Sequence, residues 1–369
     1  MDRSRGRRSA AVTAPLLYVL YLGNLYGTER MALATASGLS PRFAPLILSP
    51  PGPVSRLARE RQLEWAPFDG YLGLVRRLDA ALASCDEIAL LATRFEQSLI
   101  FCALNLFRRR KAVHYVVVHG GGGKNVYWRN RLLAPLPVRF IAVSEFVREE
   151  LVANGVAGER IEVIENFLTR ERREAIAPRG AFGPNGVRKV VVLARTVRDK
   201  RVGLVLDAVE AQPALSALTF DIYGDGEELE SLRRRGRAHA NVRFLGFDPQ
   251  VATRLAAYDL LLHTAPREPF GLVVLEAMAA GVPCLVPDAG GPASIVSGGA
   301  GFTYRASDAR DLADRLLRLA EPPPGELDRV VANAARVLRE RFSEEAALER
   351  YRRALQAPAQ ARGQSRKFW

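Results

Sequence analysis

Two glutamates in the stretch REPFGLVVLEAMAAGVPCLV, Glu268 and Glu276, sit in surroundings too apolar to leave a carboxylate unattended. A charge in such a place is costly unless something pairs with it, so Glu276 is expected to have a partner. Glu268 lies on a loop; Pro269 and Gly271 mark a helix entry and Glu276 falls two turns deeper. A helix N-terminus offers unpaired N–H groups and the positive end of a dipole, a seat for a phosphate or a sugar edge. Gly271 lets a ligand approach the backbone. Upstream, RTVRDK carries Arg195 and Lys200, five residues apart across a turn. A planar fork and a point charge can there converge on one anion. YGDGEELESL puts Gly224 and Gly226 where a strand turns into a helix. Without the third glycine of a dinucleotide fingerprint, it reads as a tight turn near a nucleotide base. In the first half, His119 ends VHYVVVH and opens HGGGGKN, while Gly23 and Gly27 lie in GNLYGTER. The glycine run is not a phosphate loop, because Val118 and Asn125 occupy positions that need Gly and Ser or Thr. Each feature alone has a plain alternative: a capped amphipathic helix for Glu276, solvated cations for Arg195 and Lys200, a core side chain for His119.

These residues must be held at the ends of strands. Apolar runs at 16–22, 44–49, 87–93, 113–119, 139–144 and 160–167 alternate with helix-like segments such as FEQSLIFCALNLFRRR. The alternation predicts a parallel sheet covered on both faces. Residues 171–187 hold proline, glycine and charge with little periodicity, as a linker does. The alternation then restarts at 189–195, 218–224, 241–246, 260–265, 282–288 and 301–304. The chain therefore reads as two similar doubly wound α/β domains facing a cleft, residues 1–170 and 188–342. A helix over 343–356 packing back on the first domain and a disordered tail over 357–369 complete the expectation. In such sheets ligands bind beyond the carboxyl ends of the strands, so residues just after each strand, Glu268 among them, are the first candidates.

A chain of 369 residues exceeds the roughly 100–200 of one ordinary domain. Hydrophobic residues at 48% and charged ones at 25% are those of a globular protein, neither disordered nor membrane-spanning. The net charge of +13 is spread along the chain without forming a stripe, which argues against a nucleic-acid groove. Anionic small molecules and peripheral contact with an anionic membrane stay compatible with it. Cys85, Cys102 and Cys284 have no metal-ligand spacing and read as reduced core residues of a cytoplasmic protein. The basic start followed by 16–22 imitates a secretory signal, but it runs into a glycine turn without a cleavage pattern and is expected to be a buried strand.

EPFGLVVLEAMAAGVPCLV resembles the glutamate, seven-residue gap, glutamate motif of retaining glycosyltransferases with the two-domain GT-B fold, in particular the group 1 or family four enzymes. LARTVRDKRV, YGDGEELESL, NVRFLGFDP and SEFVREELVANGVAGERIEVIENF resemble further segments of that family in the expected order. The resemblance covers residues 140–350 most closely. It implies that Glu276 accepts hydrogen bonds from the ribose hydroxyls of a nucleotide-sugar donor. By the same resemblance Glu268, with the backbone at Phe270, Gly271 and Leu272, holds the sugar and its phosphate. Arg195 and Lys200 would grip the diphosphate, Gly224 and Gly226 would turn beside the base, Gly23 and Gly27 would form the acceptor-side glycine loop, and His119 would lie near the transferred sugar. Three positions depart from the family pattern: Arg201 and Phe167 stand where glycine is usual, and HTAP replaces a Pro-Ser pair.

The implied activity is transfer of a hexosyl group from a UDP- or GDP-linked sugar to an acceptor hydroxyl with retention, in bacterial polysaccharide, glycolipid or glycoconjugate synthesis. The acceptor would be a glycan, a lipid-linked sugar or a small molecule. Charge building on the leaving diphosphate is met by fixed cations and a helix end. No Asp-x-Asp pair follows a strand, so no cofactor and no metal are expected. A glycosyl phosphorylase or sugar epimerase of the same architecture, or a basic membrane- or nucleic-acid-binding protein with a degenerate sugar site, are the alternatives. The presence of Glu268, Glu276, Arg195 and Lys200 together argues against degeneration.

Overall fold

Short runs rich in valine, isoleucine and leucine form two parallel sheets in the computed structural model, which describes residues 14–40, 42–120, 127–182 and 186–356. The first sheet contains β1 (Ala14–Val19), β2 (Phe43–Ser49), β3 (Glu64–Pro67), β4 (Glu87–Ala92), β5 (Lys111–Val118), β6 (Arg139–Ala142) and β7 (Ile161–Val163). The second contains β8 (Lys189–Leu193), β9 (Thr219–Tyr223), β10 (Val242–Gly246), β11 (Leu260–Leu262), β12 (Cys284–Pro287) and β13 (Phe302–Tyr304). The spatial orders are β3-β2-β1-β4-β5-β6-β7 and β10-β9-β8-β11-β12-β13. In the first, Leu17 pairs with Leu46 on one side and Leu90 on the other. In the second, Val191 pairs with Asp221 and Leu261. Both orders reverse at the first strand of the sheet, which makes the gaps β1/β4 and β8/β11 the topological switch points where such sheets receive ligands.

The helices are α1 (Gly27–Leu39), α2 (Val54–Glu60), α3 (Gly70–Ser84), α4 (Phe95–Arg108), α5 (Glu145–Ala153), α6 (Arg170–Glu174), α7 (Leu204–Ala211), α8 (Leu229–Gly236), α9 (Leu272–Ala279), α10 (Gly290–Ile295), α11 (Ala309–Ala320), α12 (Glu326–Arg341) and α13 (Glu344–Gln356). Periodicity explains how they attach. In α11, Leu312, Leu316 and Leu319 recur at helical spacing and are buried, and the Asp308 carboxylate accepts from the N–H groups of Arg310 and Asp311 to start the helix. These leucines pack with Val190, Val192, Phe220 and Ile222 of the second sheet in one core. Leu17, Val19, Leu48, Leu78, Leu90 and Phe101 form the corresponding core of the first sheet.

The chain divides into two compact units, one drawn from residues 1–117, 132–140 and 350–369, the other from 118–131 and 141–349. Within the first unit, the Tyr115 hydroxyl donates to the Ala354 carbonyl at 3.3 Å and Arg352 to that of Gly38 at 2.9 Å, which ties the end of α13 down.

The strands expected over 16–22 and 160–167 are shorter, ending at Val19 and Val163. Tyr21 and Leu22 protrude, half exposed. β3 was not anticipated: EWAP is a four-residue edge strand, half-buried and without clear alternation, and its Trp65 indole N–H donates to the Ser49 hydroxyl at 2.9 Å. α6 forms at the start of the stretch read as a linker. Cys102 and Cys284 are buried, whereas Cys85 is half-buried, against the expectation of three core thiols. No helix among the described residues is long and apolar enough to cross a membrane. The basic N-terminal residues 1–13, Gly121 to Asn125 and the tail 357–369 lie outside the described residues.

Candidate functional site

Backbone contacts set the place of the basic pair. Arg195 and Lys200 follow β8, and the turn after β9 closes against them. Gly224 has φ +145°, and a Cβ there would lie 1.8 Å from the Ala194 carbonyl oxygen. Gly226 has φ +154°, with a Cβ position 2.6 Å from the oxygen of Thr196. Thr196 N–H donates to the Asp225 carbonyl at 3.0 Å and Glu228 N–H to that of Thr196 at 2.9 Å, sewing the two loops together. The two glycines are thus required for loop-to-loop approach. Arg201 has φ +50° in the left-handed region, which explains why glycine is the usual residue after the lysine.

The other side of the switch point is the segment after β11. Lys200 Nζ donates to Glu268 Oε2, and His263 Nε2 lies 3.8 Å from the same oxygen. Lys200 and Glu268 retain only 21% and 18% side-chain exposure, so this is a largely buried pair. Burial pushes the Glu268 carboxyl up; the His263 imidazole and the Lys200 ammonium outweigh it and hold the group down at about 2. Glu268 is therefore a carboxylate at any physiological pH. The Thr264 hydroxyl donates to the Lys200 carbonyl at 2.7 Å, and the Tyr304 hydroxyl to the His263 carbonyl at 3.0 Å, fixing both partners from behind.

Pro269 to Leu272 are held from several directions. The Ser144 hydroxyl donates to the Pro269 carbonyl at 2.6 Å and accepts from Val147 N–H at 3.1 Å, so one oxygen caps α5 and grips the loop. Gly120, at φ +69°, approaches Pro269 so closely that a Cβ would meet its Cγ at 2.6 Å. Gly291 N–H donates to the Glu268 carbonyl at 2.8 Å. Gly271 caps α9 with φ +99°. The Phe270 side chain is buried edge-to-face against Phe342, centroids 5.8 Å apart, so only its backbone is available to a ligand.

Glu276 on α9 has the partner its surroundings demand. Arg172 of α6 donates from Nε to Glu276 Oε1 at 2.8 Å. Neighbouring contacts anchor α6: Thr169 Oγ1 accepts from Arg172 N–H at 3.2 Å, and Glu344 accepts from Arg170 N–H at 2.7 Å. Five residues before α6, Glu165 takes both arms of the Arg341 fork at 2.6 and 2.8 Å. Arg341 also reaches the Ser294 carbonyl at 2.9 Å.

The site residues expected from the sequence are thus brought together in part. Lys200, Glu268, Phe270, Gly271, Leu272, Glu276, Gly224, Gly226, Arg195 and His119 all belong to the second unit. Arg195 is exposed at the end of β8. His119 follows β5 with a buried Nε2 that has no hydrogen-bond partner among the described residues. Burial pushes it down to about 4, so its ring is neutral at physiological pH. Gly23 and Gly27 belong to the first unit: a Gly23 Cβ would lie 2.3 Å from the Pro51 carbonyl oxygen, a packing requirement, and Gly27 opens α1. Sequence reasoning missed His263, Ser144 and Arg172. His263 ends LLLHTA beyond a strand, the same signal that singled out His119. Arg172 carried no signal among 53 lysines and arginines. No group of three or more His, Cys, Asp or Glu among the described residues is arranged to hold a metal ion.

Residues 179–338 match the family described as glycosyl transferases group 1, and residues 26–172 that described as glycosyltransferase family 4. The chain is 30% identical over 200 residues to the N-acetyl-alpha-D-glucosaminyl L-malate synthase of Bacillus anthracis, 52% of each protein. It is also 30% identical over 173 residues to a GDP-mannose-dependent alpha-mannosyltransferase of Mycobacterium tuberculosis, 45% of this chain and 43% of that one. The chain spans about half the length of these curated relatives. Among solved structures, HepE of Anabaena in complex with UDP superposes with a TM-score of 0.79 at 21% identity, over 93% of this chain and 99% of that one. The apo lipopolysaccharide outer core galactosyltransferase WaaB gives 0.73 at 17% identity, over 93% and 99%. At these identities the likeness is one of fold: two parallel-sheet α/β domains of the GT-B type.

Proposed function

Because the chain belongs to the group 1 and family 4 glycosyltransferases, we propose that it transfers a hexosyl group from a UDP- or GDP-linked sugar to an acceptor hydroxyl with retention and without a metal. The observation that carries this reading is the Lys200–Glu268–His263 cluster at the β8/β11 switch point, with Glu276 about one turn into α9, the helix that starts there. Arg195 and Lys200 meet the diphosphate, whose negative charge grows as the bond to the anomeric carbon breaks. Glu268 and the backbone of Phe270, Gly271 and Leu272 hold the sugar, and neutral His119 hydrogen-bonds it. The acceptor oxygen bonds to the anomeric carbon on the face the phosphate leaves, and its proton passes to the departing phosphate oxygen. HepE, whose structure holds UDP, and the mannosyltransferase relative, which depends on GDP-mannose, support a nucleotide-sugar donor.

The test is a thermal-shift screen of UDP- and GDP-sugars followed by product NMR. The reading expects one donor to stabilise the protein by roughly 2.7 kcal/mol at a hundredfold excess over its dissociation constant. It also expects a product with the donor's anomeric configuration, formed equally well in EDTA. An inverted product, or turnover abolished by EDTA and restored by a divalent ion, would overturn the proposed chemistry. Donor consumption that requires free phosphate instead of a hydroxyl would replace it with a phosphorylase.

A further inference from the structure

Glu276 is held by one oxygen only. Oε1 takes the Arg172 Nε–H at 2.8 Å, and Oε2 accepts no hydrogen bond among the described residues. The carboxylate keeps 16% of its side-chain exposure and the arginine 36%, so the pair sits at the edge of the core with one side reachable. A carboxylate on a flexible two-carbon stem rotates freely about its last torsion unless something fixes it. Arg172 is a good clamp, because a guanidinium is planar and its N–H directions are preset. Its own N–H is held by the Thr169 cap, and two residues earlier Glu344 holds the N–H of Arg170.

We infer that Arg172 is a positioning residue for the donor ribose: by occupying Oε1 it turns Oε2 of Glu276 toward the nucleotide, where that oxygen accepts from a ribose hydroxyl. The inference rests on the reading of Glu276 as the ribose acceptor. It assigns a role to a residue that touches no part of the donor and lies 104 positions away from Glu276 in the chain. The competing role for the same contact is a plug, in which the arginine occupies the carboxylate and must be displaced by the ribose. The two roles predict opposite signs, since removing a clamp weakens nucleotide binding and removing a plug strengthens it.

The experiment measures binding of UDP, GDP and their 2′,3′-dideoxy analogues by calorimetry to wild type, Arg172→Gln, Glu276→Gln and the double variant, with kcat and KM for the donor where turnover is seen. The expected result is a roughly tenfold weaker binding of the preferred nucleotide by Arg172→Gln, about the loss of one charge-assisted orientation. KM should rise by a similar factor with kcat within twofold of wild type. The loss should vanish with the dideoxy analogue, and the double variant should bind no worse than Glu276→Gln alone. Unchanged or tighter binding by Arg172→Gln overturns the inference. So does equal weakening of the nucleotide and its dideoxy analogue, which would mark a merely structural role. The underlying reading fails separately: if wild type binds neither nucleotide, or if Glu276→Gln discriminates nucleotide from dideoxy analogue as well as wild type does, Glu276 is not the ribose acceptor.

Discussion

Replacing Lys200 by methionine removes the ammonium from a largely buried carboxylate while keeping most of the side-chain volume. The cost can be worked from the cluster. Against burial, His263 and Lys200 together hold Glu268 from an ordinary 4.5 down to about 2, about 3 kcal/mol in favour of the charged folded form, and without the ammonium only His263 is left to offset burial. Both side chains are less than a third exposed, so solvent does not screen most of this. An independent figure agrees, since stranding one member of a buried ion pair costs about 3–5 kcal/mol. Lys200→Met should therefore lower the unfolding free energy in urea at pH 7 by about 3 kcal/mol, and Lys200→Met combined with Glu268→Gln should recover most of it. The pH sign follows from the folded value lying below the unfolded one. The pair's stabilisation is complete above about 4.5 and fades as pH falls toward about 2. The gap between wild type and Lys200→Met should close over that window. A loss under 1 kcal/mol at pH 7, or a gap that stays constant down to pH 2, would refute the pairing argument.

Two other predictions concern the backbone and a buried acid. Gly224→Ala forces a Cβ to within 1.8 Å of a backbone oxygen at φ +145°, so the loop of Arg195 and Lys200 must give way. A stability loss of about 3 kcal/mol and weaker nucleotide binding are expected from urea unfolding and calorimetry, and a variant as stable as wild type would show that the turn is not a tight fit. Glu29 on α1 is buried, with an Oε2 that has no partner among the described residues, and burial raises its carboxyl above the usual range. A raised folded value means stability that is present below the unfolded value of about 4.5 and lost as pH rises through the folded one. Glu29→Gln should thus be more stable than wild type at pH 8 by about 1 kcal/mol, with the gain shrinking toward pH 4, as thermal unfolding at several pH values will register.

Much of the fold was legible because each parallel strand, buried on both faces, is a nearly unbroken apolar run; all six strands of the second sheet lie within the expected segments. EWAP escaped because an edge strand with one half-buried face needs few apolar residues. The ends of strands were overestimated where apolar residues continue past the last ladder bond, as Tyr21 and Leu22 do. Glu268 and Glu276 stand out in the sequence as charges in an apolar stretch and Lys200 as one of a basic pair just after a strand, and the structure joins Lys200 to Glu268 directly. The sequence was less able to name their partners. Lys200 could be assigned to an anion but not to Glu268, since the contact crosses 68 residues, and Arg172 looked like any solvated arginine. Long-range pairing depends on topology, which local periodicity does not encode. The left-handed Arg201 shows the opposite case, a residue whose departure from the family pattern marked a real backbone constraint.

The Arg341 fork has a consequence for how the chain is made. Glu165, Leu168 and Arg170 find their partners at Arg341, Phe342 and Glu344, and the first unit takes in residues 350–356. Neither unit can be finished until that distal segment has emerged from the ribosome, roughly 10 to 40 s after residue 170 at ordinary elongation rates. Through that interval Leu168, buried in the finished protein, lacks the Phe342 carbonyl that its N–H meets. The nascent chain carries a half-assembled apolar seam while residues 171–341 are being made, a stretch of synthesis in which a chaperone has buried surface to cover.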